Sequence, residues 1–335
     1  MTAKRIVAIS PDSKKMPHYD IRKARNFKAS KRAGRRFYTR GNPFDCAPFR
    51  NWAKSANMVN ERVLEPFAGG NNLIKMLKDI SLCNKYTAFD IVPGAKSVKV
   101  RDTLADFPQG YRICVTNPPW LARNSATRRG LPFPDTAYDD LYKHCLSVCL
   151  EHCDYVAALV PESYIRAAIF TNRLRYFISL TTEMFAETEH PVGLALFVPP
   201  KTVAPIIYRG REKLGMMQEL KKYRPPESSD RKIIFNAPQG NLGLLALDNN
   251  QEASIRFCPA EELGNYKVRQ SCRAIAKIQV SGALRIADYN DFIGEFRKNT
   301  WDVFLTAYRG LRKDGHYRRR LDYALARDII SYVGY

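Results

Sequence analysis

Arg62-Val63-Leu64-Glu65-Pro66-Phe67-Ala68-Gly69-Gly70-Asn71-Asn72-Leu73-Ile74-Lys75-Met76-Leu77 reads as a short apolar strand, a tight turn and an amphipathic helix. That succession is the first βα unit of a doubly wound sheet, whose ligands gather at the carboxyl ends of the strands. Small residues in the turn let a ligand approach the backbone, and the helix start offers unpaired N–H donors. Glu65, directly before the turn, would repel a phosphate; it suits a ligand carrying an ammonium or a hydroxyl.

Downstream, Lys85-Tyr86-Thr87-Ala88-Phe89-Asp90-Ile91-Val92 is a second strand ending in an acid. An acid at that tip, about 20 residues after the turn, is the usual receptor for ribose hydroxyls. On its own, Asp90 would equally suit a turn or a helix cap. Val98-Lys99-Val100-Arg101-Asp102-Thr103-Leu104 supplies a third strand, with Asp102 placed either to accept from an exocyclic amine or to cap the next turn. A fourth strand over 111–115 then runs into Asn117-Pro118-Pro119-Trp120. Consecutive prolines cannot continue a ladder, since each lacks an N–H and has a fixed φ. The chain must leave the sheet there stiffly, with an amide and a flat ring at a strand end. Such a tip can grip something planar that bears an amine, or can be no more than a turn.

The flanking chain continues the alternation. Residues 139–153 read as a helix, 155–160 as a buried strand, and Gly193-Leu194-Ala195-Leu196-Phe197-Val198 as another. Residues 48–54 are a capped helix, and polar, basic 121–130 is expected to be a mobile loop closing on a partner. Cys145, Cys149 and Cys153 repeat every four residues; they form an apolar helical stripe rather than the paired spacing of a metal site, so no metal is expected. After Pro200 the pattern weakens into short strand-like pieces, among them 233–235 and 242–247, with basic turns. The domain reading is an N-terminal basic arm, 1–36, an α/β body, 37–200, and an α+β region, 201–335.

Charge is the strongest signal of composition: 54 Lys and Arg against 33 Asp and Glu give a net +21. A surplus this large attracts polyanions, nucleic acid first among them. No apolar run approaches the roughly 18–20 residues of a membrane helix, and the start of the chain has no signal-peptide core. A cytoplasmic protein with no membrane partner is expected. Arg123, Arg128 and Arg129 after the Pro-Pro step, and Arg312, Lys313, Arg318, Arg319 and Arg320 near the end, are candidates for phosphate contact. Each run could also be a solvated face.

Glu65-Pro66-Phe67-Ala68-Gly69 followed about fifty residues later by Asn117-Pro118-Pro119-Trp120 resembles the S-adenosylmethionine-dependent amino methyltransferases of DNA. The motif order is similar to the gamma class of N6-adenine enzymes from restriction–modification systems. The resemblance covers about 36–200 and implies a Rossmann-like doubly wound methyltransferase sheet with a C-terminal target-recognition region. Its cofactor would be S-adenosyl-L-methionine, its partner double-stranded DNA, and a cognate restriction endonuclease could act on the same site. Carried over, Tyr38 and Thr39 begin a motif meeting the methionine end of the cofactor. Glu65, Phe67, Ala68 and Gly69 form the cofactor turn. Asp90 takes the ribose hydroxyls, Ile91 packs on the adenine ring, and Asp102 accepts from its amine. Asn117 and Pro118 hold the target amine beside the cofactor, with Pro119 stiffening the turn. Trp120 stacks on the flipped base, and Phe197 is its other face unless it is plain core. Two departures stand out: Asn71 occupies the place of the family's second glycine, and residue 120 is Trp rather than Tyr or Phe. Asn tolerates left-handed backbone, so the turn is expected to survive.

Three rivals remain. Asn-Pro-Pro-aromatic also occurs in RNA adenine methyltransferases. N4-cytosine transfer uses the same chemistry, though that class more often has Ser at the Asn117 place. The chain could also be an inactive DNA-binding module, against which the intact Glu65, Asp90, Asp102 and Asn117 argue.

Overall fold

The computed structural model describes residues 41–334 apart from 168, 182–183, 185–189, 201–203, 228–231 and 267–271. The expected arm, 1–36, with Tyr38 and Thr39, lies outside the described residues. The elements that follow are those of the described residues.

The chain enters with α1 (Ala47–Ser55) and goes through β1 (Arg62–Glu65), α2 (Asn72–Asp79), β2 (Lys85–Asp90), β3 (Lys99–Val100) and β4 (Ile113–Thr116). It continues through α3 (Arg123–Arg128), α4 (Leu141–His152), β5 (Tyr155–Pro161), α5 (Tyr164–Ala167), β6 (Leu174–Ser179), β7 (Val192–Phe197), β8 (Ile206–Arg209) and β9 (Glu212–Met216). These strands form one sheet in the order β3-β2-β1-β4-β5-β7-β6-β8-β9. β1 to β5 are mutually parallel, and β7 runs antiparallel between β5 and β6. This is the expected α/β, Rossmann-like doubly wound architecture. The sheet runs past Pro200, since β8 pairs parallel with β6 and β9 turns back on β8.

The sequence explains the layers. β4 and β7 are buried along their whole length and, apart from Thr116 at the end of β4, carry apolar or small residues throughout, as a strand covered on both faces must. In α2 the buried residues are Leu73, Ile74 and Leu77, one helical stripe turned to the sheet. α1 packs through Phe49, Trp52 and Ala53, with the Phe44 ring tilted against Phe49 at 4.5 Å between centres and the Trp52 Nε1 donating to the Phe197 carbonyl at 2.7 Å. Fully burying an aromatic of this size is worth roughly 1.5–3 kcal/mol, so these rings fix α1 against the sheet. The cysteine stripe is core as expected: Cys145, Cys149 and Cys153 are all buried on or at the end of α4.

The C-terminal region is α+β. β10 (Ile233–Phe235), β11 (Leu242–Leu245), β12 (Arg256–Pro259) and β13 (Ile275–Val280) make an antiparallel sheet in the order β10-β13-β11-β12. A short 3-10 helix covers Ala260–Asn265. After α6 (Met217–Lys221), which precedes this sheet, come α7 (Ile286–Thr300), the hairpin β14 (Thr306–Leu311) with β15 (Tyr317–Arg320), and α8 (Tyr323–Val333). Asn290 of α7 bonds both the N–H and the carbonyl of Phe257 on edge strand β12, at 2.7 and 3.0 Å. That blunts an edge which would otherwise invite another strand. No helix among the described residues is long and apolar enough to cross a membrane.

Candidate active site

β1 and β4 are neighbours, with Leu64 opposite Cys114, yet the chain travels outward from them in opposite directions. Their carboxyl ends therefore flank the topological switch point, where open α/β sheets bind ligands. Glu65 ends β1, Asn117 follows β4 directly, and Asp90 ends β2. The structure thus gathers the turn, the first acid and the amide on one edge of the sheet.

The turn is built for close approach. Gly69 (φ 49°) and Asn71 (φ 62°) are both left-handed, so Asn71 does adopt the conformation expected of the replaced glycine. Its Nδ2 donates to Ser97 Oγ at 3.0 Å, and its backbone N–H reaches the Ala68 carbonyl at 2.7 Å. Asp90 accepts from the Gly69 N–H at 2.8 Å and the Val92 N–H at 2.7 Å, clamping the second strand tip to the turn. Gly94 closes the other side: a Cβ there would stand 2.9 Å from the Gly69 carbonyl oxygen, so a larger residue would push the turn open. Ile91 is half-buried beside this clamp. Thr103, absent from the expected set, is buried and donates to the Pro66 carbonyl at 3.0 Å, pinning the third strand tip to the turn. A lone Thr carries no such signal in sequence.

Glu65 is only 1% exposed. Burial, reinforced by the Asp90 carboxylate, pushes its pKa well above the ordinary range. Its Oε2 and the buried Asn71 Oδ1 have no hydrogen-bond partner among the described residues. An unsatisfied buried acceptor costs roughly 1–3 kcal/mol, and a cationic or hydroxyl-bearing ligand would relieve it. Two carboxyl groups around a backbone turn are acceptors that fit the amino and ribose groups of S-adenosyl-L-methionine. Asp102 caps a turn through one oxygen: its Oδ1 accepts from the Leu104 and Ala105 N–H groups at 3.1 and 3.3 Å.

Asn117 and Pro119 are half-buried, whereas Pro118 is buried. Trp120 is only 8% exposed and belongs to the main core. The segment after it is not an open loop but contains helix α3, and it is tied back to the start of α4. Leu121 N–H donates to Asp140 Oδ1 at 3.2 Å, and the Leu121 carbonyl accepts from Leu141 N–H at 2.9 Å. Burial pushes the Asp140 carboxyl up to about 6, against the amides of Tyr142 and Leu121 that favour its charge. A folded-state pKa above the unfolded value near 3.8 means the native state binds the proton more tightly. The resulting stability is complete below about pH 3.8 and is lost as pH rises through about 6. Asp140→Asn should flatten that window, changing the pH 4 to pH 7 difference in unfolding free energy by on the order of 2–3 kcal/mol. Urea titrations of both proteins across the window would show it, and parallel pH profiles would refute it.

Phe197 is a correction. It is fully buried, and its partner across β5 is Val156, one residue from the amino end of that strand. Because β7 runs antiparallel, its last residue sits at the edge of the sheet opposite Asn117. Phe197 is core, in edge contact with Tyr164 at 6.1 Å, and cannot stack on a base held at Asn117.

The arginine candidates divide. Arg312 and Arg319 are buried ion-pair partners, not phosphate contacts: Arg312 meets Asp248 at 2.9 Å and Asp314 at 2.7 Å, and Arg319 meets Glu162 at 2.9 Å. Arg123 is half-buried and structural, bonded to the Thr136 and Tyr138 carbonyls and set over the Phe133 ring. Arg128, Arg129 and Lys313 are exposed, and Arg318 and Arg320 are half-exposed.

No protein-family model matches the chain, and no curated protein matches it. Among solved structures, it is similar to a modification subunit assigned to a type I restriction enzyme of Vibrio vulnificus YJ016, with 15% identity and a TM-score of 0.37. That match covers 58% of this chain and 52% of the other. A type I restriction-modification methyltransferase subunit from Streptococcus thermophilus matches at 15% identity and a TM-score of 0.35, over 51% of this chain and 47% of that one. The matched part thus spans about half the length of each of these two proteins. A protein of Pyrococcus horikoshii assigned as an RNA methyltransferase matches at 13% identity and a TM-score of 0.37, over 51% of this chain and 91% of its own.

Proposed function

We propose that the chain transfers a methyl group from S-adenosyl-L-methionine to the exocyclic N6 amine of an adenine flipped out of duplex DNA, at a specific sequence. The observation that carries this reading is the placement of Glu65 and Asn117 at the ends of adjacent β1 and β4, across the switch point. A net charge of +21 supports a nucleic-acid substrate. A restriction–modification setting, with an endonuclease reading the same site, belongs to the same proposal.

The cofactor, when bound, supplies an electrophilic methyl group on a sulfonium. Glu65 would take its amino group, Asp90 its ribose hydroxyls and Asp102 its adenine amine, with Phe67, Ala68 and Gly69 lining the approach. An adenine amine is a weak nucleophile because its lone pair is delocalised into the ring. The Asn117 side-chain oxygen and the Pro118 carbonyl accept its two hydrogens, drawing the nitrogen toward sp3 geometry and aiming its lone pair. That is catalysis by positioning and electrostatics. The two prolines keep the Pro118 carbonyl still. The base must leave the stack to reach this edge, and the ring of Trp120, next in the chain after Pro119, would be the aromatic face it meets.

Tritiated methyl transfer to duplex DNA and to RNA, followed by nucleoside analysis, tests the reading. Label on N6 of deoxyadenosine is expected. Label in RNA alone, or on cytosine, would overturn the choice of substrate, and no cofactor binding by calorimetry would overturn the enzyme.

A further inference from the structure

The β14–β15 hairpin has two faces of different character. Thr306 pairs with Arg320 and Ala307 with Arg319. Side chains alternate along a strand, so Arg319 turns inward to Glu162 while Arg318 and Arg320 share the other face with Thr306 and Tyr308. The Arg318 guanidinium lies over the Tyr308 ring, 5.5 Å from its centre, with its Nε bonded to the Asp248 carbonyl at 2.6 Å. Arg166 of α5 reaches the same face, bonded to Thr306 Oγ1 and paired with Asp322. Exposed Arg273 adds a further cation. Burial, together with Arg273 and Arg166, depresses the pKa of Arg320, so these like charges are crowded at a cost.

Four arginines and one aromatic ring thus gather beside the Asp322 carboxylate, which Arg166 already engages. The patch borders the active edge: α5 follows the carboxyl end of β5, and β5 is paired to β4 at Thr116 and Ala158. On the hidden face, the buried Arg319–Glu162 pair bolts the hairpin to the residue directly after β5.

We propose that the outer face of this hairpin, with Arg166 and Arg273, is a phosphate-contact surface that seats duplex DNA against the carboxyl edge of the large sheet. It rests on the DNA reading above and says where the duplex lies. Crowded guanidiniums are relieved by phosphates, and each phosphate neutralised releases condensed counterions, giving a salt slope near −0.9 per contact on duplex DNA.

The test is binding of a labelled duplex by the full chain across a salt series. The double variant Arg273→Ala, Arg320→Ala removes two of the four cations. It should reduce the slope of log affinity against log salt by about 1–2, with cofactor affinity by calorimetry unchanged. The control Lys54→Ala, Lys85→Ala removes the same charge from exposed positions toward the opposite edge, and should leave the slope as it was. Arg320→Lys should keep the slope, separating charge from folding. Equal effects of the two double variants, no change in slope, or a change confined to RNA binding would overturn the surface. A chain that binds duplex DNA as stated but transfers no methyl group sinks the enzyme reading alone. One that methylates DNA with indistinguishable double variants sinks the surface alone.

Discussion

Asn117→Ala should cut single-turnover methyl transfer by roughly 10²–10³-fold or more while leaving duplex affinity within a few-fold. The size follows from what one preorganised polar group at the reacting atoms is worth, about 2.7–4 kcal/mol when it is deleted. The substitution is structurally mild. Asn117 is half-buried and follows β4, whose four residues are fully covered, and the next two residues are prolines that fix the path whatever precedes them. The chain should therefore fold with a midpoint close to the parent, and the Pro118 carbonyl should stay in place. One acceptor for the target amine would remain, enough for residual turnover but not for drawing the nitrogen out of conjugation. Asn117→Ser restores a short acceptor and should recover part of the rate. A rate within a few-fold of the parent for Asn117→Ala, with DNA saturating, would remove the motif from the chemistry.

How much of this was legible in the chain depends on the range of the determining contacts. The βα unit around Glu65 was readable because a strand, a small-residue turn and a helical stripe are each set by neighbours within a few residues. The left-handed Asn71 was readable for the same reason: the demand is on one residue's own backbone. Phe197 was not, because an apolar strand does not announce its direction. β7 enters the sheet antiparallel, and that reversal alone moves its last residue from the edge that carries Asn117 to the far one. The arginines failed differently. Composition reports how many cations there are, but not which of them meet acids 64 or 157 residues away, as Arg312 meets Asp248 and Arg319 meets Glu162. Strand alternation in 317–320 sorts the inward Arg319 from its neighbours only once the hairpin is known to be packed on one side.

The acid at the centre of that sorting sets the second large effect: Asp248→Ala should lower unfolding free energy by about 3–5 kcal/mol, the usual cost of removing one partner from a buried ion pair. Asp248 is fully buried, and it accepts from Arg297 at 2.8 and 2.9 Å, from Arg312 at 2.9 Å and from the Arg319 N–H at 3.0 Å. Its carboxylate also receives the Ser254 N–H at 2.9 Å. Burial opposes its charge, yet the Arg297 hydrogen bonds and charge outweigh that and hold its pKa below the ordinary value. A lowered folded-state pKa contributes stability that is present above the unfolded value near 3.8 and is lost as pH falls through the folded one. The parent should therefore shed this stability in strong acid, and the variant should have none of it to shed there. Asp302 and Asp314 still engage Arg297 and Arg312, which keeps the loss from rising further. The position of the loss is as informative as its size. Asp248 ties the chain after β11 to α7 through Arg297 and to the hairpin through Arg312 and Arg319, whereas the turn proposed to hold the cofactor is built from 65–71, 90–94 and 103. Duplex affinity of Asp248→Ala should fall well before its affinity for the cofactor does. Urea titration gives the first number, and paired DNA and cofactor binding at low urea gives the second. A loss under 1 kcal/mol, or cofactor binding that fails first, would mean the acid does not organise the hairpin.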